Sequence, residues 1–399
     1  MTERSMISAL AVVLLLGTYM TSASAEPVVG PAPQNVEDVY LPRPPSYRAV
    51  PWVQGLEVPW SLVFLPDGRA LVSERPGRIR LIRDGALQED PYAVLDTVEG
   101  GGGFFDFFLK LAVGGEGGLM GLAVHPRFPE EPYIYAMHTY RGPDGVANRV
   151  IRLEDRGNRA RFDRVIIDGI PGGLNHNGGR IAFGPDGMLY VTTGETFDAE
   201  LAARLDSLGG KILRLTPEGK VPKDNPFPGS PVYSFGHRNP QGIAWHPETG
   251  DMFNSEHGPS GEFGLRAHDE INVIKAGGDY GWPNVIGAPG REPYIDPIVV
   301  WKDTAVPLAG MTFYHGDLFV AVLGSGALLK IGLAQTRSGY RVERIERWFA
   351  SGTHTGQLGR IRDVVVGPDD RLYILTSNRD GRGSPEPGDD KIYRLEPGS

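Results

Sequence analysis

Four glycine-rich junctions collect the polar side chains of this sequence. The first is Gly172-Gly173-Leu174-Asn175-His176-Asn177-Gly178-Gly179-Arg180. A histidine between two asparagines in such a turn is not on a hydrophobic face, and with an ordinary pKa of about 6.5 it is available as a general base. The alternative is a turn histidine bonded to backbone. The second junction is Phe235-Gly236-His237-Arg238-Asn239-Pro240-Gln241-Gly242. Arg238 and Asn239 offer planar donors suited to a carboxylate or quinone-like oxygen, or else Arg238 ties two structural units together. His237, beside a strand end, reads as structural.

The third junction is Ser255-Glu256-His257-Gly258-Pro259, followed by Asp269-Glu270 and Asp279-Tyr280-Gly281-Trp282-Pro283. Carbonyls at a Gly-Pro turn with carboxylates nearby are the oxygen ligands that calcium prefers, although a plain network of turns uses the same residues. The histidines lack zinc-protease spacing. In the fourth, Leu358-Gly359-Arg360-Ile361-Arg362-Asp363, strand alternation puts Arg360 and Arg362 on one side. Two arginines facing one way need an anion, either a neighbouring carboxylate or a bound acidic ligand. There is no Gly-x-Ser-x-Gly elbow, phosphate loop or dinucleotide fingerprint, which disfavours nucleotide chemistry.

The frame for these junctions is a repeat. Leu62-Val63-Phe64-Leu65-Pro66-Asp67-Gly68-Arg69-Ala70-Leu71-Val72 is two apolar runs joined by a Pro-Asp-Gly turn, and related units start at Leu122, Ile181, Ile243, Met311 and Val364. They lie about 50 to 70 residues apart, near the period of propeller blades enlarged by loops. Each is followed by a further strand, around Ile79, Ile151, Ile212, Ile271, Leu329 and Ile392. Six hairpins and six later strands predict an all-β, six-bladed β-propeller, a ring that leaves no long sheet edge open. Helix is expected to be scarce, with a short element within 197–208. The run Phe104, Phe105, Phe107 and Phe108 reads as plain packing, a buried wedge or an exposed lip.

Residues 1–25 read as an export signal, with Arg4, the apolar run Ala9 to Leu16 and the small residues Ala23-Ser24-Ala25 before Glu26. Residues 26–50 read as an extended proline-rich leader, and 51–399 as one propeller domain. The apolar run is short for a bilayer span, and no later segment is long and apolar enough to cross. The chain is therefore expected in the periplasm or secreted, with no transmembrane segment in the mature protein. Of 399 residues none is cysteine, which excludes disulfides and thiolate metal sites. Net charge is −9, without a basic stripe, which argues against a nucleic-acid partner. High counts of Gly (55) and Pro (34) fit many strands and turns.

From about Leu56 to Leu395 the sequence resembles the soluble, pyrroloquinoline-quinone (PQQ)-dependent aldose sugar dehydrogenases, also called the glucose/sorbosone dehydrogenase family. The motifs are Gly117-Gly118-Leu119-Met120-Gly121-Leu122-Ala123-Val124-His125-Pro126, Gly236 to Gly242, Glu256-His257-Gly258-Pro259 and Asp279-Tyr280-Gly281-Trp282-Pro283. The resemblance implies a six-bladed propeller that oxidises aldoses at C1 to lactones by hydride transfer to PQQ and passes electrons to a soluble or membrane acceptor. It implies His176 as general base, and Glu116, Arg238, Asn239, Arg360 and Arg362 around the cofactor. Gly258 and Pro259 would give main-chain oxygens to a calcium ion (Ca2+) at the cofactor, and Glu270 and Tyr280 would serve a second, structural calcium. Trp301 and Thr304 would line the substrate entrance.

Two positions depart from the family pattern. Glu116 stands where members carry glutamine, and near a triacid a carboxylate must be protonated or paired. Gly324 stands where members place a lysine. Two other readings use the same residues: a non-enzymatic propeller that binds a carbohydrate or surface ligand, and a calcium-dependent propeller lactonase.

Overall fold

A computed structural model describes residues 26–31, 40–42, 46–99, 115–324, 326–337, 339–350 and 356–398. The aromatic run at 104–108 and the segment 1–25 lie outside the described residues. Six sheets make the blades, antiparallel throughout except for one short parallel strand added to blade five. Their first two strands are the repeat hairpins: Pro59–Phe64 with Ala70–Glu74, Leu119–Val124 with Tyr133–Gly142, Ile181–Phe183 with Leu189–Thr193, Pro240–Trp245 with Met252–Glu256, Leu308–Tyr314 with Asp317–Val322, and Ile361–Val366 with Leu372–Thr376. The first strands pack on their neighbours at every seam but that between blades three and four, where Leu189–Thr193 makes the contact, and blade six returns to blade one. This is the six-bladed β-propeller that the repeat predicts.

The repeat is visible in the chemistry of its turns. Gly68, Gly187 and Asp370 occupy one turn position in blades one, three and six, with φ of 88°, 74° and 54°. The left-handed conformation lets the chain reverse while Leu65 N–H donates to Arg69 O, Gly184 N–H to Met188 O and Gly367 N–H to Arg371 O, all at 2.8–2.9 Å. In blades three and six the turn aspartate also accepts from a tyrosine on the next strand, Tyr190 to Asp186 at 3.0 Å and Tyr373 to Asp369 at 3.1 Å. Between blades four and five, Phe253, Ile271, Val299, Leu318, Val320 and Leu329 are buried against one another. Alternating strands thus supply apolar faces that only a neighbouring blade can cover.

Blade six is completed from the other end of the chain. Tyr47–Gln54 pairs antiparallel with Lys391–Pro397. The boundary drawn at residue 50 therefore runs through a strand. Two shorter pieces of the leader also dock: Val28–Val29 runs parallel to Val285–Ile286, and Tyr40–Pro42 parallel to 345–347 of blade five. The expected short helix is Glu200–Ala203, with Ala202 buried. No helix among the described residues is long and apolar enough to cross a membrane.

Two sets of loops open on one end of the ring. Glu116, His176, Arg238 and Arg360 stand just before the first strands of blades two, three, four and six. Second strands run antiparallel to first strands, so the loops that leave them reach the same end. Arg75, Glu195, Glu256 and Asp380 stand at or just after second strands.

Candidate active site

At the centre of this end is His176, held at φ 56°. The close packing of Gly194 against it makes the turn possible, since a Cβ on Gly194 would lie 1.9 Å from the His176 carbonyl oxygen. The imidazole is buried and bonded at both nitrogens. Nδ1 lies 2.5 Å from Glu195 Oε1, and Nε2 lies 3.0 Å from Arg238 Nη2. A guanidinium has no acceptor, so the Arg238 contact requires a lone pair on Nε2; the ring proton is then on Nδ1 and is donated to Glu195. The tautomer follows from the partners. Glu195 is 1 % exposed, and its backbone N–H donates to Arg238 O at 3.0 Å.

Arg238, 2 % exposed, is itself held by Glu262, whose Oε1 accepts from Nη2 at 2.5 Å and from Nε at 3.2 Å. Its backbone N–H donates to Glu256 Oε1. His176, Glu195 and Glu262 bring potential ligand atoms within 4.8 Å of one another. Arg238 bonds two of the three, so the positive charge in their midst is a guanidinium. Next to it, His257 donates from Nε2 to Leu308 O, and burial pushes its imidazole down to about 3.

Glu116 joins this group from blade two. Its Oε2 accepts from the His176 backbone N–H at 3.0 Å and from Asn239 Nδ2 at 3.3 Å, and its Oε1 accepts from Arg382 Nη1 at 2.8 Å. Burial raises the carboxyl, but Arg382, by its charge and its hydrogen bond, together with the neighbouring histidines outweighs it and holds Glu116 well below the usual carboxylate range. The carboxylate that departs from the family pattern is paired, not protonated. Gly324 is exposed beside Pro307. Asn239 Oδ1 accepts from Gly178 N–H at 3.0 Å, which ties the second junction to the first.

Arg360 and Arg362 do face one way. Both approach Asp380, Arg360 Nε at 2.8 Å and Arg362 Nη2 at 3.9 Å. Arg362 also donates to Gln241 Oε1 at 2.6 Å, yet its Nε has no partner among the described residues and burial pushes it down to about 9. Arg75 is a second buried guanidinium whose Nε has no partner among the described residues. Below them the axis is closed by Arg180, which donates to Asp363 at 3.1 Å and lies over the Trp60 ring at 4.4 Å.

Gly258, Pro259, Glu270 and Tyr280 line one small cavity with Glu256, behind Arg238. Burial, and then the charge of Glu256, raise the Glu270 carboxyl well above its ordinary value. The Tyr280 hydroxyl is engaged elsewhere, donating to Val273 O at 2.8 Å. His237 bridges Ser234 and Glu256, both at 2.8 Å, in keeping with a structural role. Trp301 and Thr304 are not brought into the group around His176. Trp301 is 4 % exposed and packs in the apolar core between blades four and five, while Thr304 is half-buried on the loop that follows.

The residues that composition and spacing did not single out are Glu195, Glu262, Asp380 and Arg382. All lie in loops that leave a second strand, whereas three of the four junctions read from the sequence precede first strands and only Ser255 to Pro259 leaves a second one.

The model of the glucose/sorbosone dehydrogenase family matches residues 56–393. Aldose sugar dehydrogenase YliI of Escherichia coli is 33 % identical over 354 residues, covering 82 % of this chain and 89 % of that protein. Among solved structures, a putative glucose dehydrogenase from Thermus thermophilus is 51 % identical with a TM-score of 0.78, covering 88 % of this chain and 100 % of that one. The PQQ-bound aldose sugar dehydrogenase of Streptomyces coelicolor is 36 % identical with a TM-score of 0.74, covering 89 % and 99 %. With this match across the whole propeller, and a buried histidine braced by a carboxylate at its axial end, the chain belongs to the glucose/sorbosone dehydrogenase family.

Proposed function

We propose that the chain is a quinoprotein aldose dehydrogenase that oxidises sugars at C1 to lactones with His176 as general base. The observation that carries this reading is the bonding of His176: Nδ1–H to Glu195, and a lone pair on Nε2 turned to Arg238. A base needs a fixed tautomer and a partner that stabilises its protonated form, and Glu195 supplies both.

The fit to PQQ rests on Arg362 and Arg75, buried guanidiniums whose Nε groups have no partner among the described residues and suit an acidic ligand, with Arg360 and Asn239 at hand. The fit to calcium rests on Glu256 and Glu270, two carboxylates facing one cavity beside the Gly258-Pro259 turn, where a divalent cation relieves their repulsion. When bound, PQQ would supply the hydride acceptor and a calcium held by the Gly258 and Pro259 carbonyls would polarise its accepting carbonyl, while Glu270 and Tyr280 would hold a second, structural calcium. His176 Nε2 takes the proton of the anomeric hydroxyl, which replaces Arg238 as its partner. Arg238 then lies beside the oxygen that loses its proton, and Glu195 and Glu262 balance the two adjacent positive charges. The electrons leave for a soluble or membrane acceptor, and export to the periplasm places the site where free sugars occur.

The test is calorimetric titration of the calcium-loaded protein with PQQ, then addition of an aldose and a dye acceptor. Binding followed by dye reduction is expected. No binding at high micromolar PQQ sinks the proposal.

A further inference from the structure

Phe197 is 55 % exposed although it is a large apolar residue, and its ring centroid lies 4.2 Å from that of His176. Its backbone is in the left-handed region at φ 68°, and so is that of Thr196 at φ 52°. Two successive non-glycine residues in this region carry strain, and such strain persists only where the surroundings impose it.

The surroundings do so from both sides. Before Phe197, Glu195 N–H donates to Arg238 O at 3.0 Å and Thr196 N–H to His176 O at 3.2 Å. After it, Asp198 N–H donates to Glu195 O at 2.9 Å. Further along, the buried Lys211 ammonium donates to the carbonyls of Leu201, Ala202 and Gly209 at 2.7, 2.9 and 2.6 Å. A loop fixed in this way holds an exposed aromatic face beside His176.

We infer that Phe197 is a platform for the apolar C–H face of a sugar ring, and that it sets a preference for cyclic aldoses by stacking them against the base. The inference rests on the dehydrogenase reading and extends it to substrate selection. A π face attracts the C–H edge of a ring laid on it, while hydroxyls at the rim remain free for Glu116 and Arg238. The gain is uniform binding, present before and during reaction, so it belongs in KM and not in kcat.

The experiment compares wild type, Phe197→Ala and Phe197→Tyr in the calcium- and PQQ-loaded protein, with an aldopyranose and with glyceraldehyde, which offers no ring face. In Phe197→Ala the KM for the pyranose should rise about fivefold, with kcat within about twofold. Phe197→Tyr should stay near wild type, the KM for glyceraldehyde should not move, and PQQ affinity should be the same in all three. An unchanged pyranose KM in Phe197→Ala, or an equal rise for glyceraldehyde, overturns the platform. Should wild type oxidise no aldose, the function proposed above fails and the platform is judged on methyl β-glucoside binding by saturation-transfer NMR. Transfer to the sugar ring that is lost in Phe197→Ala upholds it, and absent or unaltered transfer overturns it.

Discussion

Arg238 donates to His176 Nε2 across 3.0 Å, and Glu195 accepts from the other ring nitrogen across 2.5 Å. One interaction fixes where the lone pair is, and the other fixes where the proton is. Glu195→Gln should allow the ring to turn or change tautomer. A fall in kcat of about 10²- to 10⁴-fold is expected, with PQQ affinity within about threefold of wild type. Retention of kcat within a few-fold contradicts Glu195 as the orienting group.

Glu116 and Arg382 form a second dependent pair, 2.8 Å apart, with Asn175 accepting from the same guanidinium at 2.7 Å. Arg382→Met leaves Glu116 beside the cofactor region without its cation. PQQ affinity should fall about 10- to 100-fold, and Glu116→Gln in the same chain should restore most of it. Calorimetry on the single and double variants decides this; equal losses in both contradict a charge origin.

The same pair sets a pH dependence. Glu116 has a folded-state pKa held below its ordinary value, so its contribution to stability is fully present above that ordinary value and fades as pH falls toward the folded one. Arg382→Met removes the main cause of the depression. Acid unfolding, followed by circular dichroism, should begin at a higher pH in this variant, and the loss at neutral pH should be about 1–3 kcal/mol, less than for a fully buried pair because Arg382 is partly exposed. An unchanged acid transition counts against the pairing.

The closing strand is a stability prediction independent of chemistry. Tyr47–Gln54 covers the outer edge of blade six, pairing from Lys391 to Pro397. Removal of residues 1–45 should leave the domain folded, whereas removal of 1–54 exposes a sheet edge and should lower Tm by roughly 10 °C or more, or cause aggregation. Equal Tm values for the two truncations contradict closure by this strand.

The six hairpins were legible because paired apolar runs recur at each repeat, joined in blades one, three and six by a Pro-Asp-Gly turn or its close variant Pro-Asp-Asp. The outer strands were less so: Ala160–Pro171 and Gly339–Trp348 are half-exposed and polar, and Tyr47–Gln54 pairs with a partner more than 330 residues away, which no local pattern reports. In the site, His176, Arg238, Asn239, Arg360 and Arg362 stood out because glycines and repeats frame them. Glu195, Asp380 and Arg382 did not, since each follows a second strand and looks like an ordinary loop charge until the ring brings it inward. Trp301 entered only through the family resemblance; in the fold it is buried among the apolar residues between blades four and five.

The central claim is that His176, in the tautomer fixed by Glu195 and Arg238, is the base of an aldose oxidation. The most direct measurement is single-turnover dye reduction by the calcium- and PQQ-loaded protein mixed with an aldose, wild type against His176→Gln, with PQQ occupancy matched by titration. The expected result is full occupancy in both proteins and a rate at least about 10³-fold lower in the variant. Equal rates at matched occupancy would contradict the claim and move the base to another residue.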